Sequence, residues 1–138
     1  MAFAYHHQVQ FYETDLMGIV HHSNYLRFFE EARVAWAHHA GMIDYQKPET
    51  ASSLAVLETQ VRHLRPCFFG DQLQVDVQVR NEGIRIFFQY RLQNKTQNTV
   101  SAVGVSVHAC LNKQLKPTRL QPEFLKILEK EKWTEIWL

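Results

Sequence analysis

The stretch Asn24–Gly41, NYLRFFEEARVAWAHHAG, decides how the rest of the chain is read. Tyr25, Phe28, Phe29, Ala32, Trp36 and Ala40 recur at helical spacing and share one face. Ser23 stands where an N-cap would stand and Gly41 where a helix would stop, which predicts a helix of roughly five turns. A helix so long and so apolar on one side has to lie along a whole layer of other structure.

That layer is written in the strands around it. From Leu73 to Val79 the pattern LQVDVQV alternates without error, placing Leu73, Val75, Val77 and Val79 inward and Gln74, Asp76 and Gln78 outward. Asn81, Glu82 and Gly83 then form a turn into IRIFFQYRL, where Ile84, Ile86, Phe88, Tyr90 and Leu92 share a face, so the pair reads as an antiparallel hairpin. After the polar turn NKTQN, the run VSAVGVSVHACL resumes the alternation with Val103, Val105, Val107 and Ala109 inward. Gly104 there marks a bulge or a close backbone approach. Strands from Tyr5 to Tyr12 and from about Leu54 to Leu64 bring the number to five, and a short helix follows Pro122 with Phe124, Leu125, Ile127 and Leu128 apolar.

One long helix and a five-stranded antiparallel sheet hide their apolar faces most economically against each other, so the class is α+β, with the sheet curling around the helix. The 138 residues, 46% hydrophobic and 12% aromatic, suit one domain over 1–138. Neither a repeat nor a low-complexity linker interrupts them. A single helix covers only one face of such a sheet, and its edge strands point to pairing between subunits.

Fifteen basic against fourteen acidic side chains give a formal net charge of +1, which removes nucleic acid and anionic membrane surfaces as default partners. The opening MAFAYHHQVQF lacks a basic start followed by an apolar core, and no stretch reaches bilayer-spanning length, so the protein is expected in the cytoplasm. Cys67 and Cys110 make neither a disulfide framework nor a metal motif and read as small buried hydrophobes. The histidine pairs His6–His7, His21–His22 and His38–His39 lack the one-face spacing of ligands, and no metal is expected.

Chemistry gathers between the first strand and the helix. Asp15 sits where that strand is expected to end, and the following LMGIV would surround its carboxylate with apolar side chains, reducing its hydration and making it a better base or nucleophile. The same residue type also serves as a turn aspartate that ties down its own backbone. Seven residues on, around His22 and Ser23, the helix start presents unpaired N–H groups and the positive end of the helix dipole. A thioester or ester carbonyl resting there would develop its negative charge against those donors, each worth about 3 kcal/mol in the transition state. Being adjacent, His21 and His22 should point in different directions, with His22 the better placed for the site. Glu30, near the middle of a helix expected to be largely enclosed, is the second candidate carboxylate, although helical glutamates are also ordinary surface charges.

Read as D-x-x-G-x-V-x-H-x-N-Y followed by a helix containing FEEAR, the segment ETDLMGIVHHSNYLRFFEEAR closely resembles the opening of the 4-hydroxybenzoyl-CoA thioesterase family, in particular its broad bacterial acyl-CoA thioesterase branch. The later RPCFFGDQLQV resembles a second, less specific segment of the same family. The resemblance implies the hotdog fold and hydrolysis of a short-chain aliphatic or aromatic acyl-CoA to the free acid and coenzyme A. It implies Asp15 as the catalytic carboxylate, His22 as the position of the carbonyl-polarising backbone N–H, and pocket roles for Gly18, Val20, Asn24 and Tyr25. It further implies a homodimer or homotetramer with sites at the subunit junctions, and no cofactor apart from the coenzyme A of the substrate. Arg62, Arg80 and Arg85 are the candidates for meeting its phosphates. Two other readings stay open. A hotdog hydratase or dehydratase would use His22 with Glu30, and a non-catalytic module would bind acyl-CoA or an acyl carrier without cleaving it.

Overall fold

In the computed structural model, which describes residues 2–50 and 53–138, the chain runs β1 (Phe3–Gln8), α1 (Ser23–His39), β2 (Ser53–His63), β3 (Gln72–Glu82), β4 (Arg85–Asn94), β5 (Thr99–Leu111) and α2 (Pro122–Glu129). The five strands form one antiparallel sheet in the order β1-β3-β4-β5-β2, so β1 and β2 are its edges. Helix α1 lies across one face of this sheet, the arrangement expected of the hotdog fold.

Five of the six residues on the expected apolar face of α1, Tyr25, Phe28, Phe29, Ala32 and Trp36, are buried. Phe29 stacks on Tyr90 of β4 with ring centroids 4.6 Å apart, and Trp36 meets Phe88 edge-on at 5.5 Å. Each such aromatic contributes about 2–3 kcal/mol by leaving water, so this contact, more than helix propensity, holds α1 in place. The helix ends as its glycine implies: Gly41, at φ 87°, donates to the His38 carbonyl while Met42 donates to that of Ala37, closing a Schellman cap with Met42 buried behind it.

The N-terminal strand differs from expectation. It covers Phe3–Gln8 instead of running to Tyr12, because Val9 turns into the core and Phe11–Glu13 form a single 3₁₀ turn. The hairpin turn is also tighter than expected: Glu82 pairs with Arg85, leaving Gly83 and Ile84 at the tip, with Gly83 at φ 58° and Ile84 largely outside the core.

The facing of β5 is the reverse of the expected one. Ala102, Gly104, Ser106, His108 and Cys110 face α1, whereas Val103, Val105, Val107 and Ala109 face away. The helix approaches this strand so closely that only small or hydrogen-bonded side chains fit beneath it. Gly104 is the extreme case, since a Cβ there would sit 2.6 Å from Phe29 Cε2. Val103 and Val107 are buried nonetheless and Val105 half-buried, so hydrophobicity alone does not tell the two faces apart.

The outward polar residues of β3 are not solvated either. Asp76 is 4% exposed, accepting hydrogen bonds from Arg91, Gln93 and Gln74, while Gln78 and Gln89 bond each other and the C-terminal segment at Thr134, Glu135 and Trp137. Arg80 lies over the Phe87 and Trp133 rings and Arg91 over Trp137, so this segment covers the face that α1 leaves open. Cys67 and Cys110 are free and buried. No helix among the described residues is long and apolar enough to cross a membrane.

Candidate active site

The segment between β1 and α1 is built on Glu13. Its carbonyl accepts the His21 N–H at 2.9 Å and the Asn24 side-chain amide at 2.8 Å, tying the 3₁₀ turn to the start of the helix. Between them Thr14 pairs with Val20, whose N–H donates to the Cys67 carbonyl, and the chain from Asp15 to Ile19 is pinched off as a tight loop. The loop closes through Asp15 N–H to Ile19 O at 2.9 Å and Gly18 N–H to Asp15 O at 2.9 Å, with Gly18 at φ 78°, a conformation that glycine adopts without strain. Gly18 and Val20 therefore shape the loop, and Asn24, buried, fixes the helix entry.

Asp15 is half-buried, and its Oδ1 accepts the Met17 N–H at 2.8 Å, the turn role that aspartate commonly takes. Its Oδ2 meets no donor among the described residues. The apolar enclosure expected around it is partial, supplied by Ile19 and Val20 of the LMGIV run. Leu16 and Met17, at the tip of the tight loop, are exposed. Asp15 instead opens into a cleft of about 390 Å³, shared with Ile19, Val20, His22, Tyr25, His63 and Arg65.

The helix begins at Ser23, with His22 in the cap position, so Ser23 is its first residue and not its cap. The Ser23 N–H is taken by Nδ1 of His21 at 3.2 Å, the same atom that lies 2.9 Å from the Ser23 hydroxyl. This draws the His21 and His22 rings together, 4.2 Å between centroids, rather than letting them diverge; of the two, His22 alone lines the cleft. Among the described residues the His22 backbone N–H has no acceptor, whereas those of His21, Asn24 and Tyr25 are engaged.

Tyr25 forms the inner wall, buried, with its phenol pushed well above its ordinary pKa by burial and by the neighbouring Cys67 thiol. Against its ring stands that of His63, edge-on at 4.8 Å, on the last residue of β2. His63 is exposed at the edge of the cleft, and the partial burial of its ring, with the neighbouring His22, lowers its pKa.

The other expected site residues lie elsewhere. Glu30 is not enclosed: its side chain is 70% exposed, 3.7 Å from Arg33, more than two helical turns from His22 and outside the cleft. Arg62, Arg80 and Arg85 project from the sheet face opposite α1, where Arg80 is already engaged by Glu82 at 3.0 Å. The cleft draws instead on His63 and Arg65, which the sequence reading passed over. Arg65 opens the quoted RPCFFGD segment and had a signal there, while nothing local distinguishes His63. Among the described residues no three His, Cys, Asp or Glu side chains group as metal ligands.

Residues 9–128 match the thioesterase-like superfamily, and the chain belongs to that family. Relatives agree along nearly its whole length. A protein of Aquifex aeolicus (strain VF5), named only provisionally as an esterase, is 32% identical over 129 residues, 94% of this chain and 99% of its own. The 1,4-dihydroxy-2-naphthoyl-CoA hydrolase of Thermosynechococcus vestitus (strain NIES-2133 / IAM M-273 / BP-1) is 34% identical over 110 residues, 78% of this chain and 74% of its own. Among solved structures, the 1,4-dihydroxy-2-naphthoyl-CoA thioesterase from Synechocystis superposes with a TM-score of 0.83 over 93% of this chain and 96% of that one. At 19% identity it shares the hotdog fold.

Proposed function

We propose that this thioester hydrolase cleaves a short-chain aliphatic or aromatic acyl-CoA to the free acid and coenzyme A, in the manner of the 4-hydroxybenzoyl-CoA thioesterase family and its broad bacterial branch. Asp15 acts as nucleophile or general base and the His22 backbone N–H polarises the thioester carbonyl. The observation that supports this reading is the shared cleft: it is lined both by Asp15, whose Oδ2 meets no donor among the described residues, and by His22, whose backbone N–H meets no acceptor among them. An oxygen held on that N–H gains most when it becomes an oxyanion, and Asp15 lies on the same cleft to attack or to activate water. A volume of about 390 Å³ suits a small acyl group and its thioester.

The hydratase or dehydratase alternative loses its acid, since Glu30 stands in solvent outside the cleft. Strand β2, an edge largely exposed along its length, supports pairing of two protomers into a homodimer or a homotetramer. In such an assembly the phosphates of coenzyme A would meet Arg65 at the cleft, with Arg62, Arg80 and Arg85 serving only across a subunit junction. A cytoplasmic location accords with a coenzyme A thioester as substrate.

The test is release of free thiol from a panel of acyl-CoAs by the purified protein. Asp15→Asn should lower kcat by at least about a hundredfold while acyl-CoA binding survives. An unchanged rate removes Asp15 from the chemistry, and tight binding without thiol release by the native protein supports the non-catalytic module instead.

A further inference from the structure

His63 has no place in the chemistry described so far, yet it shares the cleft with Asp15. It closes β2 on the helix side of the sheet, opposite Ala102 of β5, with its ring braced edge-on against Tyr25. Neither ring nitrogen has a hydrogen-bond partner among the described residues. The titratable and charged groups facing it are Asp15 from the loop, His22 and Tyr25 from the start of α1, and Arg65 from the segment beyond β2.

Hydrolysis at Asp15 leaves one task unassigned. An alkyl thiolate expelled into a partly apolar cleft has to be protonated or stabilised there, and coenzyme A ends in an alkyl thiol resembling that of cysteine. Arg65 gives up no proton, and the Tyr25 phenol holds its own too tightly. We propose that His63 is a catalytic residue that delivers the proton to the departing sulfur. The inference rests on the general-base form of the reading for Asp15.

The proton balance closes on the groups present. As the water oxygen bonds to the carbonyl carbon, one water proton passes to the Asp15 carboxylate and, by way of solvent in the cleft that the two residues share, to a His63 ring nitrogen, which becomes imidazolium. When the C–S bond breaks, its electron pair stays on sulfur, and sulfur takes the proton from His63. Carboxylate and neutral imidazole are then restored. The lowered basicity of His63 favours this last transfer, because an imidazolium more acidic than usual gives its proton to an alkyl thiolate by a factor above about one hundred.

The experiment varies the leaving group. For one acyl group, kcat is measured with the coenzyme A thioester and with the 4-nitrothiophenol thioester, whose thiolate departs without a proton. His63→Gln is expected to lose about a hundredfold in kcat on the coenzyme A thioester and less than about threefold on the aryl thioester. Equal losses on both substrates, or no loss on either, overturn the proposal. Asp15→Asn serves as the separate control: if it hydrolyses both substrates as fast as the native enzyme, the reading of Asp15 has failed whatever His63 does. Should His63→Gln fail to fold, the native enzyme decides alone. Across alkyl thioesters of rising thiol pKa, the rate stays nearly level if sulfur leaves protonated, and a steep fall overturns the assignment.

Discussion

Nε2 of His7 lies 2.9 Å from Oε1 of Glu13 and 3.1 Å from Oε2, with the two side chains only 14% and 8% exposed. The same carboxylate accepts the Gln10 N–H at 2.7 Å, and the carbonyl of Glu13 holds both His21 and Asn24. One residue thus joins β1, the loop bearing Asp15 and the first turn of α1. Glu13→Ala strands His7 and the Gln10 N–H in a nearly dry pocket, at an expected cost of about 2–4 kcal/mol. Glu13→Gln keeps the shape and part of the bonding, so it should cost about half as much. Chemical denaturation of the two variants checks the order, and equal stabilities would remove Glu13 as the brace.

The large elements were legible in the sequence because they rest on long periodic patterns: the Tyr25–Trp36 face of α1 and the Leu73–Val79 alternation each repeat several times. The facing of β5 was not legible, since valines occupy one face and small or paired polar residues the other, and the structure buries both. The segment from Phe11 to Val20 carries no period at all, and its shape comes from single contacts made by Glu13, Asp15 and Gly18. Asp15 and His22 nevertheless line one cleft, as their spacing implies, because the tight loop and the helix start preserve that spacing. His63 reaches the same cleft from a strand forty residues later, a proximity that arises only when β2 pairs with β5 beneath α1.

Gly104 marks the closest approach of helix to sheet. A methyl group there would meet Phe29 Cε2 at 2.6 Å and the Gln60 carbonyl oxygen at 3.0 Å. The ring is buried and stacked on Tyr90, the carbonyl belongs to the neighbouring strand, and moving the carbonyl strains the β2–β5 pairing. Gly104→Ala should therefore destabilise the protein by about 1–3 kcal/mol despite the better strand propensity of alanine. In Phe29→Leu the same substitution should cost less, because one of its two clashes is relieved. A thermodynamic cycle from four denaturation curves measures the coupling, and strict additivity would mean that the ring is not the obstacle.

His108 makes the stability of the fold depend on pH. It is 1% exposed beneath α1, in a chain of contacts that runs from Arg33 to the Tyr90 hydroxyl at 3.1 Å, on to Ser106 Oγ at 2.6 Å and then to His108 Nε2 at 2.8 Å. Its Nδ1 has no partner, and burial, helped by the charge of Arg33, pushes its pKa down to about 4. An unfolded histidine titrates near 6.5. Above that value both states are neutral at this residue and stability is intact. As pH falls from 6.5 towards 4 the unfolded chain takes up a proton that the folded one refuses, and stability is lost. The loss is about 2 kcal/mol at pH 5. His108→Gln does not titrate and keeps a partner for the Ser106 hydroxyl, so the difference in unfolding free energy between native protein and variant should shift in favour of the variant by about that amount between pH 7 and pH 5. Urea denaturation at the two pH values measures it; a difference that stays constant would mean His108 is protonated alike in both states.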